Sequence, residues 1–471
     1  MARMHNAFPR LGTVLLLALL GHTALAQTQP DFSAVKPAAI DSIVQAELRS
    51  TGVPSVQIAI VANGHVVFSK AYGNARLAPK RPATSAMRYG IGSISKEFLA
   101  AALLLLESEG KLNLDDKAGS YVPNLGPASD VTLRQLLSHT AGVRDYWPQD
   151  YVFPDMLKPI SHKALLDRWA RQPLDFAPGE RWQYSNTGYV LAGVILEKVT
   201  GDTVFHFLQT RIFAPLKMAS VIDNDTGRVG PEDATPYAAF GLGPLEPAPK
   251  EAPGWLFAAG ELAMTAEDLA RWDISIIDQS LLPAAAYQAL EKETLLNDGV
   301  GTHYGLGLGV RLAEERRVLS HEGGVSGFVS HNVIYPDARA AIVALTNTDA
   351  ADAASAITRK LGDLLFVQAS PADLTKRNAA EGILKDLRLG KFDRTRFTDN
   401  GNYYYSDKAI KETARAFAGL GPLKKFELTA VNTRGGMETR VYTVELAKKS
   451  FELVMRSWPD GKIEQYMLSP K

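Results

Sequence analysis

The sequence predicts an α+β fold: an antiparallel sheet flanked by helices, a mainly helical domain inserted between two sets of strands, and a small α+β domain at the C-terminus. Three observations predict it. Strand patterns near residue 60 return at 305–347, with a helical stretch at roughly 95–300 between them, so the sheet is built from both ends of a helical middle. After Ser370 the chain restarts with a helix cap and Pro371, and a different pattern follows. At 471 residues the chain is too long for one ordinary core.

Taken in order, a helix over Ile40–Arg49 precedes Val56–Ala62 and His65–Ala71, two strands joined by Asn63-Gly64, a strong hairpin turn. Residues 93–109 read as an apolar helix closed by Gly110. Thr132 opens another helix, running to Ser138, and Thr187–Thr200 a third, closed by Gly201. Thr265-Ala-Glu-Asp268 resembles a capping box ahead of Leu269 and Trp272. Strands follow at Gly305–Leu312, Val318–His321, Gly327–Tyr335 and Ala340–Asn347, the last a central strand by its apolar run, and then a helix over Asp352–Phe366. The domain boundaries read as 38–368 and 371–471. The second unit carries helices at 371–389 and 406–419, then strands at 425–432, 438–447, 451–458 and 462–468.

The chain is 46% hydrophobic and 22% charged, as a globular protein is. Residues 1–26 read as a secretory signal peptide: Arg3 and Arg10, an apolar run from Leu11 to Leu20, and a small-residue cleavage site at Ala24-Leu25-Ala26. The run is half of the roughly 20 residues that span a bilayer, so cleavage is expected, with no membrane span afterwards and a secreted or periplasmic product. Residues 27–37 form a flexible lead. Without Arg3 and Arg10 the 51 basic residues become 49 against 51 acidic ones, a net charge of −2 and no footprint for nucleic acid. The absence of cysteine excludes a disulfide framework, a thiol nucleophile and a lipidated N-terminal Cys. No spacing suggests a metal site, no cofactor is expected, and no motif fixes an oligomeric state.

Three motifs carry chemistry. Ser93 and Lys96, in Gly92-Ser-Ile-Ser-Lys96, share one face at the start of a helix, where a buried neutral amine can take the hydroxyl proton. The alternative is a capping Ser with a solvated Lys. Tyr184-Ser-Asn186 offers a phenol as a second acid/base and an amide as donor, or else a loop whose Asn caps the next helix. His321-Glu-Gly-Gly324 ends a strand; its glycines let substrate lie on bare backbone, and one N–H can pair with that of Ser93 as an oxyanion hole, or the segment is a bulge. Two decoys exist. Ser33–Lys36 is followed directly by Pro37, and Tyr72-Gly-Asn74 ends a strand.

In order and context these motifs resemble a serine beta-lactamase/penicillin-binding-protein-type hydrolase family, in the branch of class C beta-lactamases, DD-carboxypeptidases, D-aminopeptidases and esterases. The resemblance rests on Tyr89–Phe98, Leu136–Gly142 (Leu-Leu-Ser-His-Thr-Ala-Gly), Tyr184–Tyr189, Gly260–Leu269, Tyr304–Gly307 and His321–Gly324, and covers about 38–366. It implies a beta-lactamase/transpeptidase-like sheet. It also implies Ser93 as the acylated nucleophile, Lys96 and Tyr184 as proton-transfer partners, and Asn186 positioning substrate and Lys96. Substrate would lie along His321, Glu322, Gly323 and Gly324, with the N–H groups of Ser93 and Gly324 as oxyanion hole, and His139 is structural. Members that cleave beta-lactams carry Lys, then Thr or Ser, where this chain has His321 and Glu322. The expected partner is a small-molecule or peptide substrate. The leading reading is an exported hydrolase of esters or amides. Its alternatives are a cell-wall DD-peptidase or weak beta-lactamase, and a slowly deacylating penicillin-binding sensor.

Overall fold

A computed structural model describes residues 32, 35–147, 154–227, 229–313, 316–367 and 371–470. The proposed signal peptide and Ser33 of the decoy motif lie outside these residues.

Seven strands form the main sheet: β1 (Ser55–Ala62), β2 (His65–Leu77), β3 (Lys80–Pro82), β4 (Gly309–Ala313), β5 (Arg316–Val325), β6 (Phe328–Tyr335) and β7 (Ala340–Thr346). Their order is β3-β2-β1-β7-β6-β5-β4, all neighbours antiparallel. The N-terminal hairpin thus joins the C-terminal strands through β1 and β7, with Ile58 opposite Ala344. The Asn63-Gly64 turn has φ of 54° and 76°, the two positive values that a type I′ hairpin demands. Both central strands are buried along their whole length, because each face is covered. Ile58, Ile60 and Ile342 pack under the helices Pro37–Thr51 and Ala354–Val367 with Ile40, Val44, Ile357 and Leu361. Ala59, Val61, Val343 and Leu345 alternate onto the opposite face and join the core of the helical insertion.

That insertion is built around the buried helices Ser95–Ser108 and Asn186–Thr200. Their ends follow local chemistry. Gly110 (φ 69°) and Gly201 (φ 71°) stop them, Thr132 and Gln135 form a capping box, and Thr265 caps Ala266–Asp278.

The strands near 305–325 differ from expectation. Residues 305–308 turn instead of extending, since Gly307 has φ 82° and a Cβ there would lie 2.7 Å from the Lys96 carbonyl oxygen. Strand β5 is longer than predicted, because Gly323 and Gly324 stay in register with Ser330 and Val329 of β6. His321–Gly324 therefore sits within a ten-residue strand.

The C-terminal segment has its own core, including Leu384, Leu387, Phe397, Tyr442, Leu453 and Tyr466. Helix Pro371–Arg388 and helix Asp407–Phe417 precede an antiparallel meander of Leu423–Arg434, Met437–Leu446, Ser450–Ser457 and Ile463–Pro470. A short helix, Asp399–Tyr404, capped by Thr398, was not foreseen. Among the described residues no helix is long and apolar enough to cross a membrane.

Candidate active site

Ser93 lies on a one-turn 3₁₀ segment, Gly92–Ile94, which runs directly into the helix Ser95–Ser108. The turn is possible because Gly92 has φ 52° and packs on β5, where a Cβ would sit 2.6 Å from the Gly324 nitrogen. The same contact sets the backbone at Ser93 beside that of Gly324, on the positive end of a helix. Gly323 is buried against the Ile91 carbonyl, and Ser330 Oγ donates to that carbonyl at 2.8 Å.

One turn on, Lys96 is wholly buried. Its Nζ lies 3.0 Å from Ser93 Oγ, 2.9 Å from Asn186 Oδ1 and 2.6 Å from the Ala259 carbonyl oxygen. The rings of Tyr184 and Tyr189 lie 4.9 and 5.4 Å from Nζ. Burial pulls the Lys96 ammonium down to about 7, and Asp145 opposes that fall. A neutral amine at this distance from a hydroxyl can accept its proton.

Asn186 opens the helix Asn186–Thr200, with the preceding Ser185 capping it through Gly188. The amide of Asn186 is held from behind by Asp145, whose Oδ2 accepts from Nδ2 at 3.1 Å. Tyr184 Oη is buried and satisfies no hydrogen-bond geometry. Burial pushes its phenol well above the usual range, partly offset by the neighbouring Ser93 hydroxyl.

His139, left out of the expected site, stands beneath Tyr184. The ring centroids are 4.0 Å apart, His139 Nδ1 accepts from Ser185 N at 3.1 Å, and its carbonyl accepts from Gln183 N at 2.9 Å. Burial, and after it the proximity of Lys96 and His321, hold it far below its ordinary value, and with Nδ1 accepting from Ser185 its proton lies on Nε2. It fixes the backbone on both sides of Tyr184.

His321 is buried, with Nδ1 donating to the Glu322 carbonyl at 2.5 Å and Nε2 accepting from Tyr304 Oη at 2.9 Å. Burial and Lys96 push it down to about 3, a neutral ring. Glu322 projects into solvent from the strand face it shares with Gly324, and its Oε1 accepts from Ser355 Oγ at 3.4 Å.

A cavity of about 750 Å³ opens over this cluster. Ser93, Tyr184, Asn186, Ala259, Gly260 and Gly324 form its floor and edge; Lys96 lies below it. Its outer wall includes Arg144, Asp145, Trp147, Asp175, Val325 and Asp349. Arg144 Nε donates to Asp175 at 2.9 Å, so the wall's only cation among the described residues is spent on a wall carboxylate. His321, Glu322 and Gly323 do not line this cavity. Asp145 and the Ala259 carbonyl are the members that sequence reasoning missed. The first sits in Gly142–Trp147 with no spacing to Asn186 that a motif could express; the second is backbone. Among the described residues no group of His, Asp and Glu is arranged to hold a metal ion.

Comparison with known proteins places this architecture. The Beta-lactamase family matches residues 40–364. The chain is 30% identical over 336 residues to penicillin-binding protein 4* of Bacillus subtilis, covering 67% of this chain and 73% of that one. A D-stereospecific amidohydrolase from Streptomyces sp. superposes with a TM-score of 0.61 at 28% identity, covering 69% of this chain and 98% of its own. The octameric penicillin-binding protein homologue from Pyrococcus abyssi, 23% identical, shares the fold with a TM-score of 0.63 over 92% of this chain and 99% of its own. A sheet built from both ends of a helical insertion and these matches together make the chain a member of the Beta-lactamase family.

Proposed function

We propose that this protein is an exported serine hydrolase that cleaves an ester or amide through an acyl-enzyme on Ser93. The observation that carries the reading is Lys96, wholly buried, with Nζ 3.0 Å from Ser93 Oγ and held near neutrality by burial. Ser93 Oγ attacks the carbonyl carbon as its proton passes to Lys96 Nζ. The carbonyl oxygen takes up negative charge against the N–H groups of Ser93 and Gly324. When the tetrahedral intermediate collapses, the bond to the alcohol or amine breaks and that group leaves with the proton, from Lys96 directly or through the Tyr184 hydroxyl. Water then attacks the acyl carbon, gives up a proton by the same route, and releases the acid and free Ser93.

The cavity wall supports a substrate without a carboxylate: Asp145, Asp175 and Asp349 face one Arg that is already paired. Exposed Glu322 adds a further negative charge along β5. Esters and amides, neutral or bearing an amine, fit this field better than penicillins or peptides with a free C-terminal carboxylate. The D-stereospecific amidohydrolase among the structural relatives supports amides. Residues 1–26 support export, and residues 371–471, with a core of their own, are assigned as an accessory domain.

The test is labelling with a fluorophosphonate. The parent should take up one equivalent, and Ser93→Ala none; labelling of Ser93→Ala at the parental rate overturns the reading.

A further inference from the structure

The loop after Leu136–Gly142 sets a carboxylate behind Asn186, the amide that contacts Lys96. Asp145 is 8% exposed and lies across the start of the helix Asn186–Thr200. Its Oδ1 accepts from the backbone N–H of Asn186 at 2.9 Å and of Thr187 at 3.3 Å, and its Oδ2 accepts from Asn186 Nδ2 at 3.1 Å. On the other side of the same amide, Asn186 Oδ1 lies 2.9 Å from Lys96 Nζ. The loop itself is pinned, with Tyr146 N donating to Thr187 Oγ1 at 3.0 Å and Tyr146 Oη to the Trp255 carbonyl at 2.7 Å.

An asparagine amide has nearly the same shape when its oxygen and nitrogen are exchanged. The exchange here would set Oδ1 against the Asp145 carboxylate, a repulsive contact in a buried place, and Nδ2 against Lys96 Nζ, which repels it whenever that nitrogen is protonated. Asp145 therefore decides which end of Asn186 faces Lys96.

We propose that Asp145 is a positioning residue for the hydrolytic reaction, acting through Asn186 to hold Lys96 Nζ on Ser93 and presenting its carboxylate to that amine from behind the amide. The inference rests on the assignment of Lys96 as the base for Ser93.

The other groups around Lys96 do not supply that charge. Tyr184 and Tyr189 are buried phenols pushed above their ordinary range, and the Ala259 carbonyl and Ser93 hydroxyl carry no charge. His139 and His321 are both depressed, first by burial and then by Lys96 itself. Asp145 is the charged group that opposes the fall of Lys96, and burial raises its own carboxyl to about 6. The two titrations are linked, so a rate profile reports the pair.

The sign follows directly. A carboxylate favours the ammonium form, so removing its charge lowers the pH at which the neutral amine appears. The experiment measures the fluorophosphonate labelling rate of the full-length protein across the pH range for the parent, Asp145→Asn and Asp145→Glu. Asp145→Asn should shift the rising limb to lower pH and reduce the plateau rate by about 10- to 100-fold, the scale of a misplaced catalytic group. Asp145→Glu keeps the charge and should keep the limb near the parental position, with a smaller loss of rate; it also serves if Asp145→Asn folds poorly. A limb that stays in place in Asp145→Asn, or moves equally in Asp145→Glu, overturns the proposal. Ser93→Ala and Lys96→Ala run beside them separate the two failures. If these label like the parent, the assignment of the base fails and not the role of Asp145 within it.

Discussion

Two buried cations, one in each half of the molecule, are treated in opposite ways. Lys96 is surrounded by a hydroxyl, an amide oxygen and a carbonyl, and the Asp145 carboxylate stands behind Asn186 with no ion pair to it. Arg440, with a side chain 3% exposed, meets carboxylates directly: Glu438 at 2.5 Å, and Asp373. Burial lowers both, but ion pairing outweighs it at Arg440, whereas at Lys96 the carboxylate is too distant to win. Burial alone therefore does not make a cation reactive. A buried cation with its own counter-ions ties a strand to a helix, and one given only neutral oxygens loses its proton more easily.

The largest effect should come from breaking the reactive member. Lys96→Ala should lower the fluorophosphonate labelling rate by about 10²–10⁴-fold, the usual worth of a positioned general base. In the parent the same rate should fall about tenfold per pH unit below 7, because a protonated amine accepts nothing. A flat profile through that range would remove Lys96 from the role.

Breaking the structural member should do the reverse. Arg440→Ala should cost about 1–3 kcal/mol of stability in the C-terminal unit, the range for charge-assisted hydrogen bonds lost from a buried site, and leave labelling at Ser93 unchanged. Denaturant unfolding followed alongside labelling checks both. A parallel loss of labelling would show that residues 371–471 complete the site.

The smallest effect tests the exposed charge on β5. Glu322→Thr should raise beta-lactam turnover relative to turnover of a neutral ester by about two- to fivefold, as an exposed charge worth under 1 kcal/mol allows. If the ratio does not rise, Glu322 is not a discriminator.

Much of this arrangement was legible in local sequence. Asn63-Gly64, Thr132, Thr265, Gly110 and Gly201 each act on neighbours within a few residues, so their elements were readable. Ala340–Thr346 was readable as central because its apolar run needs both faces covered. Ser93 and Lys96 were readable because one helical turn brings them together. What was not legible depends on distant contacts. Asp145 matters through an amide 41 residues away. The extent of β5 depends on its pairing with β6, and the turn at Gly307 on the backbone at Lys96. Glu322 could be assigned to one side of its strand by alternation, but its neighbour Ser355 comes from a helix beyond two further strands.

The central claim is that chemistry passes through a covalent bond to Ser93. The most direct measurement is mass spectrometry of the protein mixed with an activated ester and quenched in acid within the first turnover, followed by peptide mapping. An acyl mass on the peptide containing Ser93, absent in Ser93→Ala and much reduced in Lys96→Ala, is the predicted result. Turnover of the ester with no adduct in the parent, or an adduct that maps to another residue and persists in Ser93→Ala, would contradict it.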